Sequence, residues 1–251
     1  MIKFNLFAFL SLALPCIMVS NISAQDASES NQQIIQEYEQ WSAMRDDWAN
    51  LGHFREANEH LEPVQQGSQR VVMMGNSITA GWSGNFPEFF EGKPYINRGI
   101  SGQTTPQMLV RFRQDVVNLN PDVVVILAGT NDIAGNTGPS SLDMIAHNIY
   151  SMAEIAKANG IKVILSSVLP VYDYPWKPGL EPADKIISLN ETIKSFSEEN
   201  GIFYLDYFTA VVDEQNGMKD NLAYDGVHPT EEGYRVMSGL AEEAIRQVLK
   251  D

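Results

Sequence analysis

The stretch Arg70-Val71-Val72-Met73-Met74-Gly75-Asn76-Ser77-Ile78-Thr79-Ala80-Gly81 decides how the rest of this chain is read. Its four consecutive apolar residues, Val71 to Met74, predict a short strand buried on both faces. The run stops at Gly75, and a serine stands two positions later. Gly81 and the following Trp82-Ser83-Gly84 predict that the chain leaves the strand through a turn. A serine at the carboxyl end of a buried parallel strand lies where open α/β sheets bind ligands. An isolated serine there is more simply a helix cap, so its partners must choose between the two readings.

Downstream, apolar runs alternate with helical patterns. Tyr95-Ile96-Asn97 predicts a second strand that ends in Arg98-Gly99-Ile100-Ser101-Gly102-Gln103. Thr105-Pro106 opens a helix whose inner face is Met108, Leu109, Phe112, Val116 and Val117. Asp122 to Ala128 reads as a central strand and runs into Gly129-Thr130-Asn131-Asp132. A helix over Leu142 to Asn159 closes at Gly160, and a strand covers Ile161 to Val168. After the loop Pro170 to Pro182 come a helix over Ala183 to Asn200, a fifth strand over Ile202 to Leu205 and a helix over Glu231 to Leu249. This alternation implies a five-stranded parallel sheet with helices on both faces, wound right-handed.

Upstream, Ile34, Ile35, Tyr38, Trp41, Met44, Trp48, Leu51 and Phe54 recur near helical spacing. They predict one or two amphipathic helices packed on the domain, with recognition of a partner as the other reading. Residues 25–33 read as disordered, and Glu62 to Gln69 as a linker. Residues 1–24 have the form of a signal peptide: Lys3, an apolar run from Leu6 to Val19, and Ile22-Ser23-Ala24 before Gln25. A retained anchor is the other reading, for which the run is short. Cys16 offers lipidation as a further alternative, although Pro15 before it fits a lipidation box poorly. The expected organisation is therefore a signal peptide (1–24), a helical extension with linker (25–69) and an α/β domain (70–251), exported to the periplasm or secreted.

The 251 residues carry a formal charge of −15, and loss of Lys3 with the signal peptide leaves 16 basic against 32 acidic residues. No basic block offsets this, which argues against nucleic acid or an anionic membrane as partner. Cleavage also removes the only cysteine, so the mature chain is expected to have no disulfide and no thiolate. No His/Cys/carboxylate cluster has ligand spacing, so neither a metal nor an organic cofactor is implied.

If Ser77 is a nucleophile it needs a base, and histidine is the usual one. His53 and His60 lie in the amino-terminal extension and His147 inside a predicted helix, where all three read as surface or packing residues. His228 differs, because it sits in the turn Tyr224-Asp225-Gly226-Val227-His228-Pro229. Asp225, three residues earlier, can curl back and fix the imidazole tautomer; a plain capping turn is the alternative. The backbone N–H groups of Ser77 and Gly102 and the Asn131 amide are candidate donors to an oxyanion. Turn and strand-end roles are the simpler readings of Gly102 and Asn131 taken singly.

Together, Gly75-Asn76-Ser77-Ile78, Gly102, Gly129-Thr130-Asn131-Asp132 and Asp225-Gly226-Val227-His228-Pro229 resemble the four sequence blocks of the SGNH (GDSL-type) hydrolases, in order and at similar spacing. The resemblance runs from Arg70 to the carboxyl terminus. Asn97-Arg98-Gly99 and the short G-T-N-D block are similar to the platelet-activating-factor acetylhydrolase β/γ-like branch and to bacterial carbohydrate acetylesterases. The resemblance implies a three-layer α/β/α, flavodoxin-like domain with Ser77 as nucleophile, His228 as base, Asp225 as its orienter and an oxyanion hole completed by Gly102 and Asn131. Two positions depart from it: Asn76 stands where the family has Asp, and Ile78 where it has Leu. Thr79 also argues against the G-x-S-x-G elbow of α/β-hydrolases.

The expected function is a serine esterase releasing a small acyl group, acetyl above all, from a small-molecule or glycan ester. The alternatives are a lysophospholipase or thioesterase of the same fold and, in another class, a non-catalytic glycan-binding domain. In the loop Pro170 to Pro182, Tyr172, Tyr174 and Trp176 alternate and are expected to bind the substrate, with Asp173 near its hydroxyls; packing on the sheet edge is the competing reading. The sequence does not fix the oligomeric state.

Overall fold

The computed structural model describes residues 32–36, 42, 46–65 and 67–250. It divides into two compact units, Met1–Asp46 and Asp47–Asp251. In the first, residues 32–36 are helical, including Gln32 and Gln33 from the stretch expected to be disordered. The signal-peptide reading and the rest of that polar stretch lie outside the described residues.

The second unit is an α/β sandwich. After a short helix, α1 (Arg55–Glu59), come β1 (Val71–Gly75), α2 (Ser77–Asn85), β2 (Tyr95–Gly99), α3 (Thr105–Asp115) and β3 (Val123–Leu127). Then follow α4 (Thr130–Ala134), α5 (Leu142–Ala158), β4 (Lys162–Ser166), α6 (Ala183–Glu199), β5 (Phe203–Leu205), α7 (Phe208–Val211) and α8 (Glu231–Lys250). The five strands are all parallel in the order β2-β1-β3-β4-β5, the flavodoxin-like order. The expected fold class is therefore the observed one.

The two-residue period of a strand explains the layers. Val72, Met74, Val124, Ile126 and Leu165 point to one face and pack with Met108 and Phe112 of α3, Ile149 of α5 and Leu189 of α6. Val71, Met73, Val123, Val125 and Ile164 point to the other and pack with Trp82 of α2 and with Tyr234, Met237 and Ile245 of α8. Both faces are buried, which is why these strands read as unbroken apolar runs and not as alternating ones.

One local expectation is overturned. Gly81 to Gly84 do not turn away from the strand; they lie inside helix α2. Asn76 caps that helix, its side-chain oxygen accepting the Ile78 N–H at 3.0 Å. Buried Trp82 anchors the helix against Phe89, ring on ring at 4.7 Å. A glycine suits position 81 because a Cβ there would stand 2.9 Å from the Tyr234 hydroxyl, which donates to the Ile78 carbonyl at 2.7 Å. Tertiary packing outweighs the roughly 1 kcal/mol that a glycine costs a helix interior.

Candidate active site

The sheet order places its crossover between β1 and β3, the point at which such sheets bind ligands. Ser77 is the first residue after the Asn76 cap that follows β1, and Asn131 stands in α4 just after β3. Ser77 therefore presents its hydroxyl at the mouth of the sheet, while the Asn76 side chain is taken up by the helix cap. Its N–H belongs to the first turn of α2, where backbone donors have no partner within the helix.

His228 comes to Ser77 from 151 residues downstream, with Oγ 2.9 Å from Nε2. Its other ring nitrogen, Nδ1, lies 2.7 Å from Asp225 Oδ2. A carboxylate only accepts, so Nδ1 carries the proton and Nε2 is left to accept from the serine hydroxyl. Asp225 Oδ1 accepts the N–H groups of His228 at 2.7 Å and Val227 at 3.0 Å. Burial pushes the Asp225 carboxyl up, but these donors and the imidazole outweigh it and hold the group below the usual carboxylate range.

Ser77, Gly81, Ser101, Gly102, Asn131, Asn136, Trp176, Tyr224 and His228 line an open cleft of about 480 Å³. Gly102 has φ +77°, a left-handed conformation that a side chain would strain. Asn131 is buried and donates one amide N–H to the Gln103 carbonyl at 2.9 Å. Asn136 donates to the Gly102 carbonyl at 3.2 Å, so the two loops are tied together twice. Next to Asn131, the Asp132 carboxylate accepts from both the N–H and the hydroxyl of Thr105. Burial raises that carboxyl to about 6, against the lowering by Thr105.

The loop aromatics separate. Trp176 is 45% exposed and its ring lies 6.1 Å from that of His228. Tyr174 does not fit the expected substrate-binding role: it is buried, with its hydroxyl donating to the Thr130 carbonyl at 2.9 Å. Its phenol completes the core under the loop and has no surface to offer a ligand. Tyr172 is exposed and does not line the cleft. Asp173 is likewise taken up by the loop itself, accepting the N–H groups of Tyr174, Gly179 and Leu180.

Sequence reasoning missed Tyr224, which is 67% exposed and whose ring stacks on His228 at 5.6 Å and 15°. Its position immediately before Asp225 was the available signal. It also missed Asn136, which no motif marks. A larger hollow of about 590 Å³ lies at the amino-terminal edge of the sheet, beside Lys157, Lys162, Phe203 and Val248. Both lysines already donate to backbone carbonyls, and this edge holds none of the residues just described.

Residues 73–236 match the GDSL-like lipase/acylhydrolase family, and the chain belongs to it. It is thus a carboxylic ester hydrolase. A GDSL-like lipase from Bacteroides thetaiotaomicron VPI-5482 is 47% identical, with a TM-score of 0.77 over 79% of this chain and 98% of that one. The arylesterase of Vibrio mimicus is 24% identical over 75% of this chain and 94% of its own length. An acetylxylan esterase of Xylanibacter ruminicola is 24% identical over 70% of this chain, which spans 43% of that protein.

Proposed function

We propose that this protein is an exported serine esterase that removes acetyl or similarly small acyl groups from carbohydrate. The observation that carries the chemistry is the unbroken hydrogen-bond chain Ser77–His228–Asp225 at the rim of an open cleft. His228 Nε2 takes the Ser77 proton as Oγ attacks the ester carbonyl. The resulting oxyanion is met by the N–H groups of Ser77 and Gly102 and by the free N–H of the Asn131 amide. Collapse expels the alcohol, which takes the proton from His228 and leaves Ser77 acylated. Water then attacks the acyl-enzyme, giving its proton to His228, which hands it on to Ser77 Oγ as the acid departs.

The acyl size and the alcohol are argued from the lining. Among the described residues, no aliphatic side chain lines the cleft. A long acyl chain gains about 0.8 kcal/mol per buried CH₂ only against an apolar wall. Trp176 and Tyr224 flank His228 with exposed rings, the flat surfaces that suit the apolar faces of a sugar. The acetylxylan esterase relative accords with such a substrate. Export is supported by Lys3, the apolar run from Leu6 to Val19 and the cleavage-site pattern Ile22-Ser23-Ala24, whose last two residues are small.

The test is release of acid from acetylated oligosaccharides beside phosphatidyl and p-nitrophenyl esters of graded chain length, with Ser77→Ala as control. Turnover is expected to be highest on acetyl groups and to fall by about 10⁴ or more in Ser77→Ala, judged from triad removals in other enzymes. A phosphonate ester should label Ser77. A preference for long chains would make the protein a lysophospholipase or thioesterase, and labelling of another serine would remove the mechanism.

A further inference from the structure

Gln103 does not line the cleft, yet it follows Gly102 directly and is bonded to Asn131, both of which do. Its carbonyl accepts one N–H of the Asn131 amide at 2.9 Å. An amide group is planar, so fixing one N–H fixes the direction of the other. The Gln103 side chain is itself clamped at both ends. Oε1 accepts Arg111 Nε at 2.5 Å, and Nε2 donates to the Ala49 carbonyl at 2.8 Å. Arg111 is fully buried and paired with Asp115 at 3.1 Å. Its remaining donor reaches the carbonyls of Gly75 at 3.0 Å and Arg98 at 2.8 Å.

One guanidinium thus joins the end of β1, two residues before Ser77, to the residue that orients Asn131. Ala49 adds a brace from outside the sheet. Two further glutamines of α3 reinforce it: Gln107 donates to the Trp48 carbonyl at 2.7 Å, and Gln114 to the Leu51 carbonyl at 2.8 Å. Gln103 and Arg111 are buried, so their side chains are held in one arrangement, because any other leaves a donor or acceptor unpaired.

We propose that Gln103 is a positioning residue for the oxyanion hole, setting the angle at which the Asn131 amide faces the reacting carbonyl, with residues 47–51 acting as its brace. The inference rests on the reading of Asn131 as an oxyanion donor. A merely structural glutamine would affect folding without coupling to Asn131.

A double-mutant cycle separates the two. Gln103→Met keeps the length of the side chain and removes both polar ends; Gln103→Glu keeps the Arg111 contact and serves if the methionine variant does not fold. Each is measured alone and with Asn131→Ala, on a small acetate ester. Alone, kcat should fall about 10-fold with KM within about twofold. Added to Asn131→Ala, the same change should cost less than about twofold more, because the group it positions is gone. Losses that multiply, or a lower melting temperature with kcat intact, overturn the proposal. If Asn131→Ala alone leaves kcat unchanged, it is the oxyanion reading that fails.

Discussion

Asp225 holds His228 twice, through the imidazole Nδ1 and through the backbone N–H of the same residue, both at 2.7 Å. The double grip fixes the ring's tautomer and its position together. Asp225→Asn keeps the shape but offers an amide donor toward Nδ1. It is expected to lower kcat by about 10³–10⁴ near neutral pH with little change in fold. The depressed carboxyl also links to stability: its contribution is present above the ordinary carboxylate range and is lost as pH falls through its lower folded value. Kinetics and thermal melting of the variant against wild type at neutral and acid pH check both parts. Unchanged kcat would remove Asp225 from the mechanism.

Asn131→Ala removes the amide proposed as an oxyanion donor. It should lower kcat by roughly 10²–10³ with KM little changed, because the contact strengthens as charge develops on the carbonyl oxygen. A defect mainly in KM would make Asn131 a substrate-binding residue.

Trp176→Ala and Tyr224→Ala test the carbohydrate reading. Each should lower kcat/KM about 10-fold on an acetylated oligosaccharide and less than about threefold on a small activated acetate. Trp176 also packs on buried Tyr174, with ring centroids 5.1 Å apart. Equal losses on both substrates with a lower melting temperature would show that the ring only shields the site.

Asp132 supplies a second pH effect of opposite sign. Its carboxyl is raised by burial from 3.8 to about 6. The fold therefore binds this proton more tightly than the unfolded chain does, and the stability it contributes is full below about 4 and lost as pH rises through about 6. At about 1.4 kcal/mol per pH unit the change is at most about 3 kcal/mol. Asp132→Asn cannot ionise, so its melting temperature should gain on that of wild type between pH 4 and 7. A constant gap would show that the Thr105 hydrogen bonds cancel the burial.

Much of this architecture was legible in the sequence. Runs such as Val123–Leu127 admit few alternatives, and strand ends carrying Ser77, Gly102 and Asn131 fall on one edge of any parallel sheet. Three features were not legible. Helix α2 runs through Gly81 and Gly84 because Asn76 caps it and Trp82 is buried, and local propensity reports neither. The aromatics 172, 174 and 176 alternate in a loop, where no fixed period says which ring turns inward. Gln103 gains its place from the carbonyl of Ala49, 54 residues earlier, and pairing over such a distance leaves no mark in a linear pattern.

The separation of 151 positions between Ser77 and His228 also orders events in time. When β1 and α2 leave the ribosome, the serine has neither the His228 imidazole nor the Asp225 carboxylate beside it. It gains them only after the rest of the sheet has been made, because Asp225 and His228 lie on the turn leading into α8. Contacts of such separation are among the last to repay their loop-closure entropy. On the proposed mechanism a nascent or truncated chain carries an inert hydroxyl, and ester hydrolysis reports completed folding more faithfully than secondary structure does.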